Sequence, residues 1–242
     1  MTHQAAPRAI LPILCALLLP GCGGSDGGFR LLDAARTGVD FANVIPTSET
    51  HDFTNNAFIY NGAGVAAGDV NGDGLPDLYL TGNMVSSRLY LNRGEMRFED
   101  VTEAAGVGTD CWATGASMVD IDGDRDLDIY VSVAGADWVD PAARANLLFI
   151  NRGDGTFSEE AQQWGIADTG FTTHSIFLDY DRDGDLDAYL LGNSPAEFAR
   201  GETGQPSFSQ GSANPAGFDQ LYRNEGDGTF RNVSEEAGIV RR

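Results

Sequence analysis

The fold is decided by a stretch that the chain contains in three copies, the first of which reads Asp69-Val70-Asn71-Gly72-Asp73-Gly74-Leu75-Pro76-Asp77. Residues 120–128 and 179–187 repeat its pattern, with Asp or Asn at positions 1, 3, 5 and 9. Side-chain oxygens at these positions, together with a main-chain carbonyl at position 7, suit Ca²⁺, which takes six to eight oxygen ligands. A solvated acidic turn is the alternative, because Asp, Asn and Gly favour turns. Three copies in one register favour the calcium loop.

These three acidic loops predict three structural Ca²⁺ ions, one per loop. An EF-hand is excluded, because its bidentate Glu at position 12 is replaced here by Leu80, Val131 and Leu190. Short apolar runs flank each loop and indicate strands, not helices. The predicted metal ligands are Asp69, Asn71, Asp73, Leu75 and Asp77; Asp120, Asp122, Asp124, Asp126 and Asp128; and Asp179, Asp181, Asp183, Asp185 and Asp187.

The acidic loops are not predicted to bind calcium equally well. Arg125 stands at loop position 6, where the other two copies have Gly74 and Gly184. Glycine adopts positive φ without a steric penalty, whereas a residue with a Cβ does not. We therefore predict that the second site is weaker than the third.

A second motif follows each acidic loop and reads as strand, Gly-containing turn, strand, at residues 89–98, 148–157 and 221–230. Asp-Gly in two of the copies is a strong hairpin signal. The 28 residues from Asn92 to Asp120 and from Asn151 to Asp179 are constant, whereas the connection before each Asn varies in length. One repeat is therefore four strands, and the length variation lies between its second and third strands.

Together these motifs resemble the FG-GAP/VCBS repeats of integrin-α-type β-propellers, and more narrowly the bacterial relatives of cartilage acidic protein (ASPIC/UnbV family). The resemblance extends from residue 29 to the end of the printed sequence. It implies an all-β fold of four-stranded antiparallel propeller blades, with Ca²⁺ between strands one and two. It also implies that partners dock at the connections between strands two and three.

We expect about three blades, at residues 62–107, 113–166 and 172–239, within a partial propeller spanning residues 29–242. A closed propeller takes typically four to eight blades, so the ring should be incomplete, with further blades missing from a truncated copy. Residues 29–33 and 37–39 are interpreted as a lone fourth strand. No ASPIC/UnbV segment is visible.

The first 21 residues predict a lipoprotein-type signal peptide, because the apolar run at residues 9–19 is too short to span a bilayer. Leu19-Pro20-Gly21-Cys22 resembles a lipobox, which makes Cys22 the lipidation site and residues 22–28 a flexible tether. An ordinary signal peptide is the alternative. We expect an exported protein, a bacterial outer-membrane or cell-surface lipoprotein, otherwise periplasmic or secreted.

The formal net charge of −21 argues against nucleic acid and anionic membrane surfaces as partners. The membrane would be contacted only through the lipid anchor. We predict a calcium-stabilised extracytoplasmic binding or adhesion module that is not an enzyme and has no catalytic residues. The alternatives are a propeller domain of a polysaccharide-active enzyme and a purely structural fragment of a larger surface protein.

The side chains that might suggest catalysis or sugar binding are interpreted as packing groups. His174 is expected to be a packed strand residue and Cys111 a buried thiol. The aromatic residues Trp112 and Trp164 and the repeated tyrosines are expected within the blades. The tyrosines are Tyr79, Tyr130 and Tyr189.

A protein or glycan ligand is expected at the variable connections, residues 134–145 and 193–218, because loops on a rigid scaffold are where binding residues collect. Aromatic and Arg side chains dominate interface energetics. The candidate ligand-binding residues are Trp138, Phe198, Arg200 and Phe208. The alternative is that residues 193–218 are a disordered spacer.

Overall fold

The structure, a computed structural model, describes residues 29–46, 48, 59–135, 140–193 and 217–239. These residues contain twelve strands in three four-stranded sheets. The first sheet holds β1 (Val65–Gly68), β2 (Asp77–Leu80), β3 (Arg88–Asn92) and β4 (Phe98–Asp100). The second holds β5 (Ala113–Val119), β6 (Asp128–Val133), β7 (Leu147–Asn151) and β8 (Phe157–Glu159). The third holds β9 (Thr172–Leu178), β10 (Asp187–Gly192), β11 (Gln220–Asn224) and β12 (Phe230–Asn232).

Each sheet is an antiparallel meander in which neighbouring strands are consecutive in the chain. The first two strands of each sheet pair up to the edge of the acidic loop, at Gly68–Asp77, Val119–Asp128 and Leu178–Asp187. The last two strands close on the second predicted hairpin, for example at Asn151–Phe157. The all-β prediction of three four-stranded antiparallel blades in an incomplete propeller-like fold is therefore confirmed.

The sheets pack against each other through their first strands, β1 beside β5 and β5 beside β9. Glycine permits the close approach, because a Cβ on Gly64 would lie 2.6 Å from the Cα of Gly115. One apolar core lies between the first and second sheets, and it includes Tyr79, Leu89, Val107, Ile129 and Phe149. Another lies between the second and third sheets, and it includes Val119, Ile121, Tyr130, Leu190 and Tyr222.

His174 lies on β9 at the repeat position of Gly64 and Gly115, and it is exposed. Its imidazole nevertheless lies beside the neighbouring strand, since a Cβ on Gly115 of β5 would be 2.7 Å from Nδ1 of His174. His174 is thus a strand residue that contacts β5 on one side, but it is exposed and not enclosed as the expectation of a packed residue requires.

A short helical turn follows the fourth strand of the first sheet, α2 (Thr102–Ala105), and a matching turn, α1 (Ala34–Thr37), precedes the first sheet. Each ends at a glycine in the left-handed region, Gly106 and Gly38. A Cβ on Gly38 would clash with the carbonyl oxygen of Phe98 on β4, so this turn packs on the first sheet. Residues 29–46 contain no strand, and the prediction of a lone fourth strand there is wrong.

The chain divides into two units, residues 1–32 and 33–242. Only residues 29–32 of the first unit are described, so the predicted signal peptide, Cys22 and the tether lie outside the described residues. None of the helices in the described segments has the length and hydrophobicity that a membrane span requires.

Candidate metal centre

The aspartate at position 9 anchors each acidic loop to the sheet below it. Asp77, Asp128 and Asp187 each begin the second strand of a sheet and are at most 1% exposed. One carboxylate oxygen accepts from the backbone N–H at loop position 2, and the other accepts from an asparagine N–H on the third strand. The donors at 2.7–3.0 Å are Val70 and Asn92 for Asp77, Ile121 and Asn151 for Asp128, and Tyr180 and Asn224 for Asp187.

The asparagine side chain links the end of the acidic loop to the following hairpin. Nδ2 of Asn151 donates to the carbonyl of Leu127 at loop position 8, and its Oδ1 accepts from the N–H of Gly153 in the turn. Asn92 and Asn224 make the same two bonds. These asparagines were not predicted as part of the site. Their recurrence in one register in all three copies was the available signal.

Backbone amides also orient the carboxylates at positions 1, 3 and 5. In the second loop, Asp120 Oδ2 accepts from the N–H of Arg125, and Asp122 and Asp124 accept from the amides two residues further on. The first loop has equivalent bonds to Asp69, Asn71 and Asp73. These bonds fix the carboxylates before any ligand arrives, so less ordering remains for the binding step.

Two of the loops bring three carboxylates together. Asp120, Asp122 and Asp124 place an oxygen each within 4.8 Å of one another, and so do Asp179, Asp181 and Asp187. Ca²⁺ binds oxygens at about 2.3–2.6 Å, so ligands on opposite sides of the ion lie about 5 Å apart. Asp120 Oδ1 is buried and has no hydrogen-bond partner, and a cation would satisfy it. The residues of this loop therefore fit Ca²⁺.

The side chains at position 7 point elsewhere. Asp126 Oδ2 would lie 3.1 Å from a Cβ on Gly153, and Asp185 Oδ2 would lie 2.9 Å from a Cβ on Gly226. Both carboxylates are thus next to the hairpin turn. This placement is compatible with the prediction that position 7, including Leu75 in the first loop, contributes its main-chain carbonyl.

Burial disfavours the ionised form of the three aspartates at position 9. Burial raises the pKa of Asp128 to about 7, although the two backbone N–H donors lower it and the nearby Asp122 and Asp124 raise it. Burial raises the pKa of Asp77 and of Asp187 in the same way. A bound cation would compensate this desolvation by stabilising the charged form.

Loop positions 4 and 6 adopt positive φ in every copy, and two of these six residues are arginines. Arg125 at position 6 has φ 83°, as predicted for the glycine position, but Arg182 at position 4 has φ 70°. The remaining positions are Gly72, Gly74, Gly123 and Gly184. Backbone strain therefore affects the second and third loops alike. It gives no reason for the second loop to bind calcium more weakly than the third. The first loop alone has glycine at both positions.

A cleft of about 440 Å³ separates the second and third loops. Asp120 and Asp122 line one side, Asp185 lines the other, and Trp164 contributes to the wall. Trp164 also packs near Phe230, with ring centroids 6.3 Å apart, and donates from Nε1 to Glu160. The two loops thus face one shared cleft.

The structure places some of the predicted packing residues, whereas the predicted ligand-binding residues cannot be compared. Tyr79 and Tyr130 are fully buried and donate to the carbonyls of Val107 and Ile166, which confirms their packing role. Cys111 is half-buried, and burial raises the pKa of its thiol to about 11. The predicted ligand-binding residues lie outside the described residues; they are Trp138, Phe198, Arg200 and Phe208.

Residues 69–131 and 134–190 match the FG-GAP-like repeat, and these two segments include all three acidic loops. The chain contains FG-GAP-like repeats. With the three antiparallel sheets, they fit an FG-GAP, propeller-like domain. FG-GAP repeats are typical of extracellular binding modules and are generally non-catalytic. A comparison with curated proteins found no match to this chain.

Proposed function

We propose that the chain is a calcium-stabilised extracytoplasmic binding or adhesion module without catalytic activity, tethered by a lipid at Cys22. The observation that carries this proposal is the second acidic loop, where three oriented carboxylates converge and one buried oxygen lacks a partner. Calcium would join the first two strands of each sheet at the loop. Carboxylates occupied by the ion would not serve as general acids or bases.

Calcium removal tests the structural role of the ion. Without the ion, carboxylates within 4.8 Å of one another repel each other. We expect chelation to lower the Tm markedly, and added Ca²⁺ to restore it. An equal amount of Mg²⁺ should restore little, because it demands a strict octahedron.

A loop variant and a control separate a specific site from general charge screening. Asp120→Asn should remove most of the calcium-dependent rise in Tm that the second loop contributes. Glu103→Gln, on an exposed turn outside the loops, should leave the rise unchanged. An unchanged melt in chelator would refute the structural-calcium role. Loss of metabolic fatty-acid labelling in Cys22→Ser, with labelling of the parent chain, tests the anchor separately.

A further inference from the structure

The segment that precedes the first sheet has the same form as the tails that follow the sheets. Each tail is a short hydrogen-bonded turn that ends at a positive-φ glycine and continues with Val or Ile; the glycines are Gly106, Gly165 and Gly238. The helical turn α1 likewise ends at Gly38, which has φ 80°, and continues with Val39. We refer to residues 33–43 as the N-terminal strap.

The N-terminal strap lies on the first sheet where a tail lies on each of the other sheets. With a Cβ, the glycine of the preceding tail would lie 3.6 Å from the carbonyl oxygen of Phe157 on β8 and 2.9 Å from that of Phe230 on β12. Gly38 approaches the equivalent carbonyl, which belongs to Phe98 on β4. The strap therefore fills the tail position of the first sheet.

Side-chain hydrogen bonds hold the strap in this position. Tyr90 on β3 donates to Asp40 at 3.1 Å, and an equivalent bond joins the third sheet to the tail of the second. The side chain of Asn43 donates to Asn83 Oδ1 and accepts from the backbone N–H of Asn83. Thr37 is the one buried residue of the strap. The strap thus has few contacts and can open without unfolding the sheet.

At the other end of the series, β9 differs at the residue that sets how closely two sheets approach. On β1 and β5 this residue is glycine: a Cβ on Gly64 would lie 2.6 Å from the Cα of Gly115, and a Cβ on Gly115 would lie 2.8 Å from the carbonyl oxygen of Thr173 on β9. His174 has the equivalent position on β9. Because a Cβ cannot lie so near a backbone, a further strand could not approach β9 as closely as β9 approaches β5.

Two exposed faces of the molecule correspond to the faces that meet in its cores. Ile176 and Leu178 on β9 are 48% and 41% exposed. Ala66 on β1 is in the core toward the second sheet, so the adjacent Val65, 60% exposed, points to the other side. Joined through these faces as β1 joins β5, two copies would form a ring of six sheets, within the usual four to eight.

We propose that the N-terminal strap and His174 prevent this chain from assembling head to tail with a second copy. The strap fills the position on the first sheet that the tail of a second copy would need, and His174 keeps β9 from close contact with β1 of that copy. Head-to-tail contacts give closed rings or open filaments, so blocking both faces keeps the chain as a single copy. The proposal goes beyond the proposed function and does not depend on calcium.

Analytical ultracentrifugation over a hundredfold range of protein concentration tests the proposal. Gly38→Ala places a Cβ against the Phe98 carbonyl and should release the strap, and His174→Gly restores the glycine of the other sheets. We expect the parent chain and both single variants to remain monomers. The double variant should reach about twice the monomer mass as its concentration rises. Adding Val65→Asp on the exposed β1 face should abolish that assembly.

Matched variants separate the two blocking features from general destabilisation. Gly62→Ala has the same positive-φ penalty as Gly38→Ala, but a Cβ on Gly62, at φ 82°, meets nothing within 4 Å. His174→Ala removes the imidazole and keeps the Cβ. Neither control should substitute for its counterpart in the double variant. Hydrogen exchange of residues 33–43 reports whether the strap is released.

Asp40→Ala combined with Asn43→Ala releases the strap by a second route that adds no backbone strain. Self-association of the parent chain would overturn the proposal. So would a double variant that stays monomeric although hydrogen exchange shows a released strap, or assembly that persists with Val65→Asp. Equal assembly with His174→Ala and His174→Gly would show that close approach is not what His174 blocks. The calcium-dependent Tm tests the proposed function separately.

Discussion

At the residue scale, the aspartate at position 9 has two roles that oppose each other. Asp128 holds the loop to the third strand through two backbone N–H donors, and this requires burial. Burial in turn raises its pKa to about 7. The same carboxylate that organises the loop therefore needs either a proton or a cation to offset its desolvation.

The pH dependence of stability follows from this raised pKa. Between the ordinary value of 3.8 and about 7, folded Asp128 holds a proton that the unfolded chain has lost. The native state then binds more protons, so the free energy of unfolding falls as pH rises through this window. We expect metal-free protein to have a higher Tm at pH 5 than at pH 8.

Thermal melts of Asp128→Asn at the same pH values check the assignment. The variant should lose part of the pH slope, and its Tm should be lower throughout because an amide cannot accept from both backbone donors. With Ca²⁺ present, the slope of the parent protein should reverse, since protons compete with the ion. A metal-free Tm that rises from pH 5 to pH 8 would contradict this account.

The positive-φ arginines give a second prediction at this scale. A Cβ at Gly72, Gly74, Gly123 or Gly184 would meet nothing within 4 Å, so the strain at these positions is conformational. A residue with a side chain in the left-handed region costs about 1–2 kcal/mol. Arg125→Gly and Arg182→Gly should each raise stability by about 1 kcal/mol and tighten calcium binding at their own loop.

Calorimetry of the two variants distinguishes strain from charge. If strain dominates, the two gains should be similar, because Arg125 and Arg182 have φ values of 83° and 70°. Arg125→Ala and Arg182→Ala serve as controls, since they remove the charge but keep the Cβ. Equal effects of Ala and Gly would show that charge, not backbone conformation, governs the sites.

At the element scale, the hairpin between the third and fourth strands has the same turn hydrogen bonds in the second and third sheets, but different turn residues in the first. Asp154 Oδ1 accepts from the N–H and the hydroxyl of Thr156, and Asp227 accepts in the same way from Thr229. The first sheet has Glu95-Met96-Arg97 at these positions. Glu95 and Met96 have φ 51° and 59°, whereas only the glycines have positive φ in the other two turns, so the first-sheet turn has a different backbone conformation.

Restoring the favoured turn residue should stabilise the first sheet. Gly155 and Gly228 occupy the position of Met96 in the other copies, with φ 86° and 82°. We expect Met96→Gly to raise the free energy of unfolding by about 1 kcal/mol, because the left-handed conformation then has no Cβ penalty. Met96→Ala is the matched control and should give little gain. Chemical denaturation measures both.

Strands and hairpins could be predicted from the sequence because both are local and repeated. Alternation, the acidic loops and Asp-Gly turns are encoded within about ten residues. The helical turns were missed because each is a single turn. At α2, Asp100 Oδ1 accepts from the N–H of Thr102, and the Thr102 hydroxyl accepts from the N–H of Leu89 on the neighbouring strand. Four helical residues give no periodic signal.

At the scale of the whole molecule, the burial of equivalent residues differs between sheets, because it depends on whether a neighbouring sheet covers them. Val119 and Ile121, on either side of the first residue of the second acidic loop, are 7% and 4% exposed, since the third sheet covers them. Leu178 and Tyr180 occupy the same repeat positions in the third sheet and are 41% and 38% exposed. The sequence alone could not reveal this difference, because the residues are apolar in both copies.

The positions of neighbouring sheets and connections also decide the exposure of His174 and Trp112. A repeat pattern predicts which face of a strand packs, but not whether a neighbour is present to cover it. His174 was therefore expected to be packed and is exposed. Trp112 was expected within a blade, yet it lines a groove that forms only where connections from two sheets meet.

Equivalent substitutions in the two sheets test this view of the molecule. Val119→Ser leaves a hydroxyl and a cavity in the core between the second and third sheets, and we expect it to lower the free energy of unfolding by about 2–3 kcal/mol. Leu178→Ser changes an exposed position and should stay within about 0.5 kcal/mol of the parent. Denaturant unfolding at low protein concentration measures the change in the free energy of unfolding for both variants.

If Leu178→Ser is as costly as Val119→Ser, a partner surface covers β9 in solution. Repeating the measurement over a hundredfold range of protein concentration would then show whether that surface belongs to a second copy of the chain, because a cost that depends on self-association disappears on dilution.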